Sequence, residues 1–484
     1  MIIYDFHNNN LEINTIYTIR KKCSIIGYYT YDKVILIILW RIIMKKKLLS
    51  ILLTILLCTL LFCCASKDSG AKTETQTQTQ TQTPQKTEEK APVQTVEPED
   101  PGVILMFDES KVLKDTGSKS FTITSATLAV KDMTLGWNLG NTLDATGGSG
   151  LNTETSWTQP RTTKEMIDGL AKSGIKTIRI PVSWSRHMDK KTYTVDTEWM
   201  KRVREIVDWA IENDMYVILN CHHDNFNTPR KMPACAGYYP NSTNKNESER
   251  FLLNLWTQIA LAFNDGYDEH LVFETMNEPR LCGTNHEWWF DANAAECKDA
   301  AACLNEYNQL VVDTIRASGG NNQKRFIACP ALAASPDSAF SAAFKMPADD
   351  EPDKLIVSVH MYTPYSFAMQ SPGERTFTSS HKANLVQYFG KLNTRFISKG
   401  YPVYIGEFGA TNKDNLEDRV AWFDYFIKES RKYGMTSVLW DNGVWEVRNN
   451  DYNEHYGFYN RREQTWYFPE ILAAMTAAAN LVIE

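Results

Sequence analysis

The chain lacks any stripe of basic residues that could track phosphates: 51 lysines and arginines are outnumbered by 58 acidic residues, and the net charge of −7 is spread along its 484 residues. That excludes nucleic acid as a natural partner. The ten cysteines form no paired CxxC, which removes the usual structural zinc patterns and leaves core thiols with at most a bridge. No apolar run reaches the ~20 residues of a membrane span. No glycine-rich phosphate loop follows the first β-rich run, since Gly136-Trp137-Asn138-Leu139-Gly140-Asn141 has the wrong pattern. A doubly wound nucleotide-binding sheet, the structural alternative, would carry one there. What the chain does have is aromatics, at 12%. These suit a large core, and also a site where flat rings pack against sugar faces.

The N-terminal part reads as four pieces. Residues 1–43 have no amphipathic pattern and are read as an upstream extension beyond the true start. Met44-Lys45-Lys46-Lys47 and the apolar run Leu48 to Phe62 lead into Cys63, Cys64, Ala65 and Ser66. This is the three-part grammar of an export signal over 44–65. Leu61, three positions before Cys64, also fits a lipoprotein signal, with cleavage after Ala65 as the competing outcome. Residues 66–102 are rich in Thr, Gln, Lys, Glu and Pro, cannot bury a core, and are read as a disordered linker. One globular domain follows over 103–484, with Phe107 to Val130 expected as an edge strand or a cap. A bridge between two of Cys282, Cys297 and Cys303 is the expected pairing, if one forms.

From Thr134 onward, short β-rich runs alternate with amphipathic helices. Thr162 and Glu165 have the spacing of a capping box. Met166, Ile167, Leu170 and Ala171 then share one helix face, and Gly174 supplies the stop. Strands are expected at Leu135–Leu139, Thr177–Pro181, Tyr216–Asn220, Val272–Met276, Arg325–Cys329, Leu355–Val359, Val403–Gly406 and Ser437–Leu439. Eight β/α units in one domain predict an α/β fold of the (β/α)8, or TIM barrel, type.

Catalytic groups of such barrels sit at the C-terminal strand ends, and this chain places its unusual polar residues there. Asn141 and Asp144 follow strand one, and Arg179 and Trp184 mark strand two. His222 and His223 end strand three, and Asn277-Glu278 ends strand four. His360 and Tyr362 end strand six, Glu407 ends strand seven, and Trp440, Asp441 and Asn442 end strand eight. A lone glutamate there is usually solvated, but Glu278 with Glu407 in a matching position is the pattern of paired carboxylates. The neighbours His222 and His223 are expected to face opposite ways, as on a strand, and so not to chelate a metal together. Trp184, Trp440 and Trp445 are candidates for a sugar platform.

Seven segments carry a resemblance: GWNLGNTLDA (136–145), IRIPVSW (178–184), VILNCHH (217–223), FETMNEP (273–279), VHMYTP (359–364), IGEFG (405–409) and LWDNG (439–443). In order and spacing, residues 134–472 resemble the family 5 glycoside hydrolases, the cellulase family, and most closely its branch of endo-β-1,4-glucanases, xyloglucanases and mixed-linkage glucanases. The resemblance implies Glu278 as acid/base and Glu407 as nucleophile of a retaining mechanism. It implies support from Arg179, His222, Asn277, His360, Tyr362 and Trp440, with Asn141 and His223 beside them, and neither metal nor cofactor. Glu278 would rest protonated and Glu407 ionised, with Arg179 favouring the latter. The partner implied is a polysaccharide, met by an exported, monomeric protein whose only membrane contact is a signal or lipid anchor. A mannanase or xylanase on the same scaffold, or a non-catalytic carbohydrate-binding protein, are the alternatives. The cysteine-rich insertion from Cys282 to Cys303 is not a feature of the resemblance.

Overall fold

The computed structural model describes residues 102–449 and 451–481. The extension, export signal and linker expected before them lie, but for Gly102, outside the described residues. Among the described residues no helix is long and apolar enough to cross a membrane.

Eight strands close into one barrel in sequence order. They are β1 (Leu135–Asn138), β2 (Thr177–Ile180), β3 (Tyr216–Asn220), β4 (Leu271–Glu274), β5 (Ile327–Pro330), β6 (Leu355–His360), β7 (Val403–Phe408) and β8 (Thr436–Leu439). All neighbours pair in parallel, and β8 returns to β1. The helices are α1 (Ala126–Asp132), α2 (Lys164–Lys172), α3 (Thr197–Glu212), α4 (Lys245–Ala262), α5 (Ala295–Ala317), α6 (Pro336–Phe340), α7 (Tyr365–Ala368), α8 (Ser379–Arg395), α9 (Leu416–Lys432) and α10 (Pro469–Ala479). Every barrel-strand residue is buried. A parallel sheet covered on both faces requires this, and it explains why the strands read as apolar runs rather than alternating ones.

The segment expected as an edge strand or cap is a cap. It descends along α4, where Met106 N–H donates to Asn254 Oδ1 (2.7 Å) and Asn254 Nδ2 donates to the Ile104 carbonyl (2.8 Å). It ends in α1, whose Ala126, Ala129 and Val130 join Tyr216, Ile218, Val272, Phe326, Ile356, Tyr404 and Val438 in one buried cluster. That cluster fills the barrel between α1 and the strands. The Thr177 hydroxyl donates to the Met133 carbonyl at the same end (2.8 Å).

Local details differ from expectation for physical reasons. The capping box does not form: α2 starts after Thr163, while Thr162 N–H is taken by the buried Glu154 carboxylate (2.7 Å). Gly174, at φ +87°, does stand where a left-handed backbone ends the helix. β5 starts later than predicted because Arg325 turns to the carbonyls of Asn264, Tyr267, Asp268 and Leu271. No two of Cys282, Cys297 and Cys303 are bridged, and all are buried thiols. Cys297 and Cys303 lie on one helix, roughly 240° apart around its axis at 3.6 residues per turn, and cannot face each other.

Candidate active site

β7 shows how the barrel turns a carboxylate into its mouth. Tyr404 points into the barrel, so strict alternation would turn Glu407 outward. The ladder slips between Ile405 and Phe408 on one side and between Val359 and His360 on the other. Such bulges re-aim a side chain, and here Glu407 turns into the mouth opposite His360. Gly406 fits closely at the slip, where a Cβ would stand 3.0 Å from the Tyr404 hydroxyl and 3.1 Å from His360 Nε2 and would push both aside.

Arg179 of β2 organises the centre. It is fully buried and meets Glu407 Oε1 through one terminal nitrogen (2.9 Å) and Glu274 Oε2 through Nε (2.8 Å). The same terminal nitrogen donates to Asn138 Oδ1 (2.9 Å), and the other donates to Asn277 Oδ1 (2.6 Å). Burial works against the guanidinium charge, but Glu274 and Glu407 outweigh it and raise its pKa. Tyr362 donates to Glu407 Oε2 (2.9 Å). His360 Nδ1 lies 2.9 Å from Glu278 Oε1, and its Nε2 faces Arg179 at 3.5 Å. Arg179 can only donate, so a neutral His360 would accept at Nε2 and carry its proton on Nδ1 toward Glu278. Against burial, Glu407 and Glu278 raise its pKa and favour its charged form. One carboxylate oxygen each of Glu278 and Glu407 and a ring nitrogen of His360 lie within 4.8 Å of one another.

The charges differ from the sequence expectation. Burial opposes ionisation of Glu278, yet the hydrogen bond and charge of His360, together with Arg280 at 3.1 Å, hold its pKa below the usual value. Burial raises Glu407, and the charge of Glu278 adds to this against His360 and Arg179. These directions ease ionisation of Glu278 and oppose that of Glu407, against the resting state expected of the pair. The causes are, for Glu278, chiefly His360 with Arg280 beside it, and, for Glu407, chiefly its own burial. Arg280 is a loop residue whose direction the sequence does not reveal.

The remaining predicted residues fall into three groups. His222 is buried, bonded through Nδ1 to Asn220 Nδ2 (3.1 Å) and stacked parallel to Trp440 at 6.0 Å. Burial holds it neutral, well below its ordinary pKa. His223 lies edge-on to it, with Nε2 3.8 Å from Asp144, and burial lowers its pKa to about 4. Contrary to expectation, both histidines and Asp144 present ligand atoms within 4.8 Å of one another, because they lie past the end of β3, where alternation no longer applies. On distance alone they could hold a cation, although Asp144 already accepts the N–H groups of Asn141 and Thr142 (3.0 and 2.6 Å). Asn141 contributes that N–H from a left-handed backbone at φ +55°.

Trp184 is not a sugar platform. It is fully buried, and its indole donates to the Asn220 carbonyl (2.9 Å). Trp445 is 39% exposed and stacked on Tyr467. Asp441 is structural, binding the Trp137 indole (2.9 Å) and the N–H groups of Phe458 and Tyr459. Sequence reasoning missed Glu274, which accepts from Arg179, Asn220 (2.9 Å), Ser358 (2.6 Å) and Tyr404. The signal was available: a carboxylate inside the apolar run Leu271-Val272-Phe273-Glu274 must be paired once the strand is buried on both faces.

The profile of the cellulase family (glycosyl hydrolase family 5) matches residues 142–445. Endoglucanase B of Ruminococcus albus is 42% identical over 367 residues, 75% of this chain and 83% of that protein. Among solved structures, a mutant glycoside hydrolase 5 lichenase from a Caldicellulosiruptor species, in complex with cellotetraose, aligns at a TM-score of 0.69. It is 39% identical and covers 76% of this chain and 98% of that one. A broad-specificity endoglucanase from Ruminococcus champanellensis with bound cellotriose aligns at 0.67 and 39% identity, over 73% and 98% of the two chains. With the site built on the same segments that the sequence singled out, the chain belongs to family 5 of the glycoside hydrolases, the cellulase family.

Proposed function

We propose that the protein is a retaining, endo-acting glycosidase that cuts β-1,4-linked glucan, as cellulose, xyloglucan or mixed-linkage glucan. Glu407 acts as nucleophile and Glu278 as acid/base. The observation that carries this reading is the approach of the two carboxylates to within 4.8 Å. Retaining enzymes hold them roughly 5–5.5 Å apart, whereas inverting ones leave about 6.5–9.5 Å for a water molecule. In the first step Glu407 attacks the anomeric carbon, the glycosidic C–O bond breaks, and the leaving oxygen takes the proton of Glu278. In the second, Glu278 takes a proton from water, the hydroxide oxygen bonds to the anomeric carbon, and Glu407 leaves. Arg179 and Tyr362 both hold Glu407 and, against its burial and the charge of Glu278, favour the ionised form that the first step needs. Arg179 also fixes the Asn277 amide with its oxygen inward, presenting its NH2 to a sugar 2-OH. Such a contact strengthens at the transition state. The chemistry requires no cofactor. The polymer is met outside the cell, as a monomer, after export through residues 44–65.

Azide rescue tests the roles. Glu407→Ala should lose activity on every substrate, and azide should restore a product of inverted configuration. Glu278→Ala should keep its first step on aryl glycosides with acidic phenols, and azide should then give retained configuration. General acid help is typically worth about 10²–10⁴-fold, so natural and activated substrates should separate clearly. Exchanged stereochemistry would exchange the roles, and an inverted wild-type product would remove the retaining mechanism.

A further inference from the structure

Glu278 is followed two residues later by Arg280, on a loop that reaches back over the carboxylate. One terminal nitrogen of Arg280 donates to Glu278 Oε2 (3.1 Å), and its Nε donates to Glu287 Oε1 (3.2 Å). Its guanidinium lies 4.2 Å above the ring of Trp288. Glu287 is itself fixed, because its other oxygen accepts Gly283 N–H (3.0 Å). The Arg280 backbone N–H is held by Asn225 (2.7 Å). The guanidinium is therefore a clamped charge shared between two carboxylates, with only a fifth of its side chain exposed. Gly283, Glu287 and Trp288 of this clamp belong to the insertion from Cys282 to Cys303 whose character the resemblance did not explain.

We propose that Arg280 is a positioning residue that sets the pH at which Glu278 gives up its proton, with Glu287 as its counterweight. The proposal rests on Glu278 being the acid/base. Glu278 is also faced by His360 from β6 and Tyr362 just after it, by Glu407 from β7 and by His223 after β3, while Arg179 from β2 stands behind Glu407. Arg179 is committed to Glu274 and Glu407, and burial keeps His223 neutral near pH 7. His360 is the strongest partner of Glu278 but is itself titratable, so Arg280 is the permanent cation in direct contact with Glu278. A neighbouring opposite charge favours the ionised carboxylate. Removing the charge of Arg280 makes Glu278 hold its proton to higher pH. Removing the charge of Glu287 leaves Arg280 unopposed and makes Glu278 release its proton at lower pH.

The alkaline limb of kcat/KM reports the acid of the free enzyme and is the quantity to measure, on soluble glucan and on a dinitrophenyl glycoside. On glucan, Arg280→Gln should move the limb upward by about one pH unit, the low end of what an adjacent cation imposes. Glu287→Gln should move it downward, and Arg280→Lys should keep it near the wild-type position. On the dinitrophenyl glycoside, whose leaving group needs no acid, neither variant should move the limb. Opposite displacements by neighbouring substitutions cannot come from a shared folding defect. A glucan limb that stays in place, or that moves the same way in both variants, would overturn the proposal. Glu278→Gln serves as the control: loss confined to glucan upholds the acid/base assignment independently of Arg280. Equal loss on both substrates would remove that assignment and the proposal with it.

Discussion

Glu274 is the residue through which the site is tied to the barrel. It carries no reacting atom, yet it takes Arg179, Asn220, Ser358 and Tyr404 in the buried centre. Removing one member of a buried ion pair costs about 3–5 kcal/mol, because the other charge stays buried and uncompensated. Glu274→Gln should lower unfolding stability by roughly the smaller of these figures, read in denaturant. Arg179 would then keep Glu407, Asn138 and Asn277 but lose its second carboxylate. A displacement of about 1 Å can cost roughly 10²-fold in rate, so kcat should fall by that order while KM changes little. At this scale the sequence pointed to the two carboxylates that the structure brings together at the barrel mouth and to most of what touches them, because paired carboxylates stand out among the residue types at strand ends. It did not reveal Arg280 or the true environment of Trp184. Both depend on which way a side chain turns beyond the end of a strand, where no periodicity constrains direction.

Among the elements, strands were more legible than loops. A strand buried on both faces needs an uninterrupted apolar run, and turn residues bound that run. Strand ends were misjudged where the backbone departs from regularity, as at the β6–β7 slip that carries His360 and Glu407. The loop after β4 exposes Trp288 and Trp289 (60% and 73%), and the loop after β8, on the other side of the barrel, exposes Trp445. Aromatic surface on both sides of the carboxylate pair, on loops from opposite strands, suits a chain that passes through the site rather than one that ends in it. The viscosity of soluble β-1,4-linked or mixed-linkage glucan should therefore fall early, while few reducing ends have appeared. Release of single sugars or disaccharides at unchanged viscosity would contradict endo action.

For the whole molecule, the closure of the barrel was legible from the count of eight β/α repeats. The role of the segment before β1 was only half legible, since a short amphipathic stretch reads alike as an edge strand or as a helix lying under the barrel. The export reading rests on residues 44–65, and intact mass of the secreted protein should show loss of everything before Cys64 or Ser66. A mature chain beginning at Met1 would refute it. Barrel closure also bears on when activity can arise. Asn138 of β1 donates across the seam to the Val438 carbonyl, 300 positions away in sequence, and to Gly406, while its oxygen receives Arg179. The first strand and the last two are thus latched by the side chain that also steadies the catalytic arginine. Chain ends so far apart meet slowly, and a molecule whose first and last strands have not met lacks an ordered site. Catalytic competence is then the last property a newly synthesised copy acquires, and regain of hydrolysis after dilution from denaturant times the joining of its two ends.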